Sequence, residues 1–335
     1  MAYWSAMDTL INPKNLIFNG SAVGINPAAD WANLVGHILA KGDGVFCTDF
    51  RSWDASMSHQ IMRAAFEVLS DIAPTTDGDT LKYREWIADS ICSSTHLDDR
   101  YVTVWSGSNP SGNDFTTVLN NIVQAIAMQL TISRHVLESD RHLVDLPAII
   151  PRSGFTDYAA QGMYEDQFKC SDPVTASVIM NLYRLVTFGD DGIMSVRPEL
   201  NMTTGDLARH AKAFGFVLTN ADKTDPLTNP LPPQSIVKAS FLKRGFRYEM
   251  GRWTCPLERE SIYKSLAFTK KNYDREDYER VVHNAALEFS MHGEEVWTRE
   301  HVRLLKACAE AGVKYDVGNY SQCAAEILTL DWTTW

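Results

Sequence analysis

The chain has 335 residues, of which 45% are apolar and 22% charged, and its formal net charge is −11. This is the make-up of an ordinary soluble globule of about two domains with ample core. No apolar run is long enough to predict a membrane span, the start Met1-Ala2-Tyr3-Trp4-Ser5 lacks the basic and apolar stretches of a signal peptide, and the acidic balance argues against a surface that tracks phosphates throughout.

In chain order, a helix is expected after Pro27, because proline suits a first turn and Trp31, Leu34, Val35 and Ile38 follow at helical spacing. Val45-Phe46-Cys47-Thr48-Asp49-Phe50 reads as a strand, with alternation setting Val45, Cys47 and Asp49 on one face at the edge of an apolar core. Helices are expected over 58–72 and 81–91, then a hairpin arm from Asp98 to Trp105 that leads into the loop 106–112. A long apolar helix should run from Phe115 to about Ile132.

Residues 182–188 and 192–196 predict two strands, with Gly189-Asp190-Asp191 at the turn between them. An amphipathic helix over 206–214 should end at Gly215, followed by a strand over 216–219. After Trp253 the pattern becomes helical. Tyr278, Val281, Val282, Ala285 and Phe289 form one apolar stripe, and Val302, Leu305 and Ala309 form another before Gly312; both predict core packing.

Three segments carry the chemistry. Asp49 needs a partner for a charge beside apolar residues, and a divalent cation is one such partner. Asp190 and Asp191 at a hairpin tip repel each other unless a cation sits beside them. Ser111-Gly112, Thr116 and Asn120 add hydroxyl and amide groups suited to a sugar. Alone, Gly-Asp-Asp is usually a turn and Asp49 with Asp54 a solvated helix start. It is the conjunction, in this order and on strands, that points to a metal-dependent nucleotidyl transferase. The six cysteines contain no Cys-x-x-Cys and none stands at ligand spacing from a histidine, so zinc finds no support; their scatter favours a reducing compartment. The nine histidines are dispersed, each with a default reading as satisfied or solvated.

These segments resemble the ordered motifs of the RNA-dependent RNA polymerases of picornavirus-like positive-strand RNA viruses. Asp49 and Asp54 match motif A. Ser111-Gly112, Thr116 and Asn120 match motif B, and Phe188-Gly189-Asp190-Asp191 matches motif C. Thr219 to Thr224 is similar to the end of motif D, and Phe241-Leu242-Lys243-Arg244 to motif E. The match runs in order over roughly residues 21–300.

The resemblance implies an α+β fold: a right-hand palm with an RRM-like antiparallel sheet backed by helices, then a mostly helical thumb. It implies template-directed RNA synthesis with two Mg²⁺ ions, Mn²⁺ able to substitute. Asp49, Asp190 and Asp191 would hold the metals, and Lys223 would be the general acid toward pyrophosphate. Asp54, Ser111 and Asn120 would read the ribose 2′-hydroxyl, with Thr116 in support and Gly112 a flexible point. Arg51 could touch the triphosphate. Lys243 and Arg244 would grip primer phosphates, in a stretch (238–252) where Lys238, Arg247 and Arg252 add positive charge.

The implied partners are template and primer RNA, nucleoside triphosphates, a fingers region and other viral replication proteins, in replication complexes of the host cytoplasm. The long fingers region that precedes motif A in the family is missing here. The chain therefore reads as residues 1–20 of lead-in, a palm over 21–254 with a small fingers segment near 91–107 and an insertion near 134–172, and a thumb over 255–335. Without fingers, such a chain is expected to be a poor catalyst by itself. Two other readings stay open: a catalytically idle RNA-binding or assembly fragment, and another two-metal enzyme such as a reverse transcriptase.

Overall fold

The computed structural model describes residues 3–10, 19–109, 112, 114–138, 178–249, 251–267 and 274–329. Two compact units divide the chain: Met1–Gly24 with His37–Gln234, and Ile25–Gly36 with Ser235–Trp335. Among the described residues no helix is long and apolar enough to cross a membrane.

The first unit is built on an antiparallel sheet. Four of its five strands, β1 (Gly44–Phe50), β4 (Tyr183–Phe188), β5 (Asp191–Val196) and β6 (Leu218–Thr219), run in the order β4-β5-β1-β6, and the short strand Gln234–Ser235 also pairs with β1. Strands β2 (Ser93–Asp98) and β3 (Tyr101–Ser106) form a separate hairpin. The helices are α1 (Trp4–Leu10), α2 (Pro27–Ile38, most of it in the second unit), α3 (Trp53–Ser56), α4 (His59–Ile72), α5 (Gly78–Cys92), α6 (Thr116–Glu138) and α7 (Thr204–Lys212). This mixture of helix and antiparallel sheet is the expected α+β class.

Caps fix where the helices start. Ser58 accepts from the backbone N–H of Ile61, and Asp77 from that of Thr80. Thr203 and Asp206 form a reciprocal capping box on α7. Gly215, at φ +89°, turns the chain out of α7 where a side chain would be strained.

The main core lies on one face of the sheet. Phe46 and Phe50 of β1, Leu185 of β4 and Met194 of β5 meet Met62 and Phe66 of α4, Leu119 and Val123 of α6, and Leu207 and Ala211 of α7. The large core therefore takes the face of β1 opposite to Val45, Cys47 and Asp49, which corrects the expectation from alternation. Val45 is buried as well, so β1 is covered on both sides along its first half, and an apolar run of that kind does not announce its core side. Helix α6 reaches Glu138, so 134–138 belong to it. The rest of the expected insertion, 139–172, lies outside the described residues.

In the second unit Trp31 stacks on Phe246, ring centroids 5.1 Å apart, and Phe241 is buried beside them. The helices are α8 (Arg259–Ala267), α9 (Arg275–Ser290), α10 (Glu294–Ala311) and α11 (Tyr320–Glu326). On α9, Ala285 and Phe289 are buried as expected, while Tyr278 is exposed. On α10 the expected stripe is on the wrong side. Val302 and Leu305 are exposed, and the inward row is Trp297, Glu300, Leu304 and Cys308. A glutamate in that row hides it from a hydrophobicity pattern. Glu300 is tolerated inside because Arg299 and Arg303 donate to its carboxylate at 2.9 and 3.1 Å.

Arg244 departs from the primer-gripping role expected of it. Its guanidinium is buried, paired in two parallel bonds with Glu288 at 3.0 and 2.7 Å, and it also donates to the Cys255 carbonyl. Removing one member of a buried pair strands the other charge. Glu288→Ala should therefore destabilise the second unit by about 3–5 kcal/mol, measured by urea unfolding, with Glu288→Gln losing less. A loss below about 1 kcal/mol in Glu288→Ala, the range of surface pairs, would show that the pair is not structural.

Candidate active site

The end of the sheet where β1 leaves and the β4–β5 hairpin turns gathers most of the expected residues. Strand β1 pairs with β5 in antiparallel register, Thr48 opposite Gly192. One residue further along come Asp49 on β1 and Asp191 on β5. Thr48 points toward α6, so Asp49 points to the opposite face. Its Oδ2 accepts from the Thr219 hydroxyl at 2.8 Å and from the Lys223 ammonium. Both donors fall on one oxygen, and among the described residues Oδ1 accepts no hydrogen bond. Lys223 sits in a tight turn at φ +64°, its backbone N–H donating to the Asn220 carbonyl at 2.8 Å.

The hairpin tip is a two-residue turn closed by Phe188 opposite Asp191. Gly189 takes its first central place at φ +67°, a conformation that glycine reaches without steric cost. Asp190 and Asp191 are both exposed.

Two buried amides on α6 hold this tip. Asn121 accepts from the Gly189 backbone N–H at 2.6 Å and donates to the Ser21 hydroxyl at 2.9 Å. Gln124, fully buried, donates to the Thr48 hydroxyl at 3.1 Å and to the Asp190 carbonyl at 3.2 Å. Gly192 makes room for that contact: a Cβ there would lie 2.4 Å from both Gln124 Nε2 and Thr48 Oγ1. Asn121 and Gln124 were not among the expected site residues. The available signal was two further amides beside Asn120, on one face of an otherwise apolar helix.

A second polar group forms around Asn109, which is also fully buried and also absent from the expected set. Its side chain donates to Asn120 Oδ1 at 2.7 Å and to the Thr116 carbonyl at 3.1 Å, and its backbone N–H donates to the Asp54 carbonyl at 3.2 Å. Asn109 thus ties the start of α3 to the start of α6, and with them Asp54 to Asn120. Gly112 is exposed at φ +91°. Ser111 lies outside the described residues. Arg51 is exposed just after β1, its backbone N–H held by the Val217 carbonyl at 2.8 Å.

The three carboxylates share this end of the sheet without closing on a point. Among the described residues they do not form a trio of ligand atoms within 4.8 Å of one another. Mutual repulsion favours that spacing, and Asp49 already has Lys223 as its countercharge. Their donor set, carboxylate oxygens on two neighbouring strands, suits a hard cation.

Residues 2–309 match the viral RNA-dependent RNA polymerase family. The chain belongs to that family. It is 27% identical over 280 residues to the RNA1 polyprotein of Andean potato mottle virus, covering 81% of this chain and 34% of that protein. It is 25% identical to the replicase polyprotein of Drosophila C virus, covering 93% of this chain and 17% of that protein. The genome polyprotein of human hepatitis A virus (genotype IIB) is 23% identical, covering 95% of this chain and 12% of that protein. Among solved structures, a sicinivirus 3Dpol RNA-dependent RNA polymerase shares the fold at a TM-score of 0.64 and 18% identity, over 93% of this chain and 56% of that one. The chain thus spans about a third of the first of these polyproteins and less of the others. The family implies use of a divalent metal ion.

The amide clamp can be tested apart from any activity. Gln124→Met keeps the volume and removes the donor from Thr48 and Asp190. Two acceptors then lose a partner, and the expected cost is about 1–3 kcal/mol in chemical unfolding. Unchanged stability would mean that water replaces the amide without loss.

Proposed function

We propose that this chain is the catalytic portion of an RNA-directed RNA polymerase, a nucleotidyltransferase that copies an RNA template for viral genome replication. The observation that carries the reading is the β1–β5 register, Thr48 opposite Gly192, which brings a strand-borne carboxylate beside the Gly-Asp-Asp tip. We read residues 21–254 as the palm, with the β2–β3 hairpin in a small fingers segment near 91–107, and residues 255–335 as the thumb.

In this reading Asp49, Asp190 and Asp191 hold two Mg²⁺ ions. When bound, these ions would lower the pKa of the attacking 3′-hydroxyl and neutralise the triphosphate. The chain's own residues do the rest. Asn121 and Gln124 fix the backbone of the tip on α6, which limits how far the Asp190 and Asp191 carboxylates must move to meet the ions. Lys223, on the Asp49 carboxylate, is a proton donor within reach of the same place and can protonate departing pyrophosphate. Asn120 and Asp54, linked through Asn109, would read the ribose 2′-hydroxyl together with Ser111, with Thr116 in support. Gly112, whose added Cβ would meet nothing within 4 Å, gives the loop freedom as template advances. Arg51 and Lys243, both exposed, meet triphosphate and primer phosphates respectively. RNA template and primer, nucleoside triphosphates and other viral replication proteins are the partners, in replication complexes of the host cytoplasm.

In a polymerase that carries this chain, Asp190→Asn should lower primer extension on an RNA template by several orders of magnitude, since a metal ligand is lost. Extension within tenfold of the parent would sink the assignment. Asn120→Ala and Asp54→Ala should narrow the preference for ribo- over deoxyribonucleotides, because a deoxy sugar leaves polar groups unpaired. At about 1–3 kcal/mol per group this is roughly ten- to a hundredfold in the ratio of kcat/KM values. An unchanged ratio in both variants would remove them from the sugar site.

A further inference from the structure

Away from the sheet end, α6 and α7 cross at a buried pair of histidines. His135, 8% exposed, lies near the C-terminal end of α6, and His210, 1% exposed, near that of α7. The His135 Nδ1 and His210 Nε2 atoms are 3.3 Å apart. Asp206 stands one helical turn before His210, on the same face of α7. One ligand atom from each of the three lies within 4.8 Å of the other two.

The outer nitrogens decide what the inner ones can be. His135 Nε2 lies 3.0 Å from the Leu200 carbonyl, which can only accept, so that nitrogen carries the proton. Among the described residues His210 Nδ1 has no hydrogen-bond partner, and it faces the Glu138 carboxylate at 3.6 Å, again an acceptor. With protons on both outer nitrogens, the inner two present lone pairs to each other. The Arg209 guanidinium now stands beside this point, its Nη2 3.4 Å from His210 Nε2, and a metal ion that displaced it would meet both inner lone pairs.

We propose that His135, His210 and Asp206 form a site for one tetrahedral transition-metal ion, zinc being the ion of fitting ligand preference, which ties the end of α6 to α7. Two nitrogens bound at about 2.0–2.1 Å in a tetrahedron stand about 3.3–3.4 Å apart, which is the spacing observed. The Leu200 carbonyl and the Glu138 carboxylate supply the outer-shell acceptors that orient metal-bound imidazoles. Asp206 Oδ1 now holds Arg209 at 2.8 Å, and Arg209 Nη2 also lies 3.4 Å from His210 Nε2. The Arg209 side chain is 60% exposed, so it is the group that gives way to solvent. Glu138 and Asp206 keep the site's net charge low. The role is structural, a staple at the point where α6 ends, and it is separate from the carboxylates of the sheet end.

The test is a Co²⁺ titration of the whole chain, read by its visible ligand-field spectrum. The expected result is one tetrahedral ion per chain, counted by its intense bands and displaced by Zn²⁺, whatever further cobalt binds weakly absorbing carboxylate sites, and a zinc-dependent rise of the thermal midpoint. His135→Gln and His210→Gln should each lose the bands, Glu138→Gln should weaken binding about 10–100-fold, and Asp190→Asn should leave the spectrum unchanged. A weak six-coordinate spectrum, no uptake by the parent chain, or bands that survive in both histidine variants would overturn the site. No uptake by the parent chain would assign the space between the rings to a shared proton. The parent titration decides the question even if a variant fails to fold.

Discussion

The geometry of the sheet end depends on one contact: the Gln124 side chain reaching from α6 to Thr48 on β1 and to the Asp190 carbonyl at the hairpin tip. Thr48 and Gly192 face each other across the strand pair, and only glycine leaves room there for the amide. The same contact orients β1. With Thr48 turned toward α6, alternation sends Asp49 to the other face, toward Thr219 and Lys223. Asn121, one turn earlier, holds the Gly189 N–H, so the acidic tip is pinned from beneath at two points. A hairpin bearing two adjacent carboxylates would otherwise be free to splay.

Much of this was legible in the sequence, and the reasons differ by element. Asp49 and the Gly-Asp-Asp turn could be read because strand periodicity and turn chemistry agree there. The start near Ser58 and the stop at Gly215 could be read, whereas the helix expected from residue 206 begins at Thr204, behind a Thr203 cap that was not read. The clamp could not be read, since a buried glutamine looks like a solvated one until its partners are known. Asn109 is similar: it sits in a loop that reads as flexible, yet it is fully buried and bridges Asp54 to Asn120. Arg244 was misread because an arginine beside aromatics has the look of a phosphate contact, and Glu288, the residue that buries it, lies 44 positions away. The face of α10 was misread for a related reason, Glu300 being an inward acid paired with arginines of its own helix. The paired histidines also escaped notice. They stand 75 residues apart in sequence, on different helices, and metal-ligand spacing is a local signal that cannot span such a distance.

Several cations are spent internally: Arg244 on Glu288, Arg247 on Glu249, Arg299 and Arg303 on Glu300, and Lys223 on Asp49. The Lys223 pairing stands apart because it involves a proposed metal ligand. An ammonium on Asp49 compensates the carboxylate, and its 72% exposed side chain is free to leave when another charge arrives. Lys223 would thus be available to the triphosphate when Asp49 turns to a metal ion.

The most direct test is a crystal structure of this chain soaked in Mn²⁺ and measured at the manganese absorption edge, so that the ion is located by its own scattering. The account predicts manganese at the sheet end, coordinated by Asp49 with Asp190 or Asp191, and Lys223 moved off the Asp49 carboxylate. Manganese bound only elsewhere, with Asp49 still paired to Lys223 at saturating concentration, would contradict it.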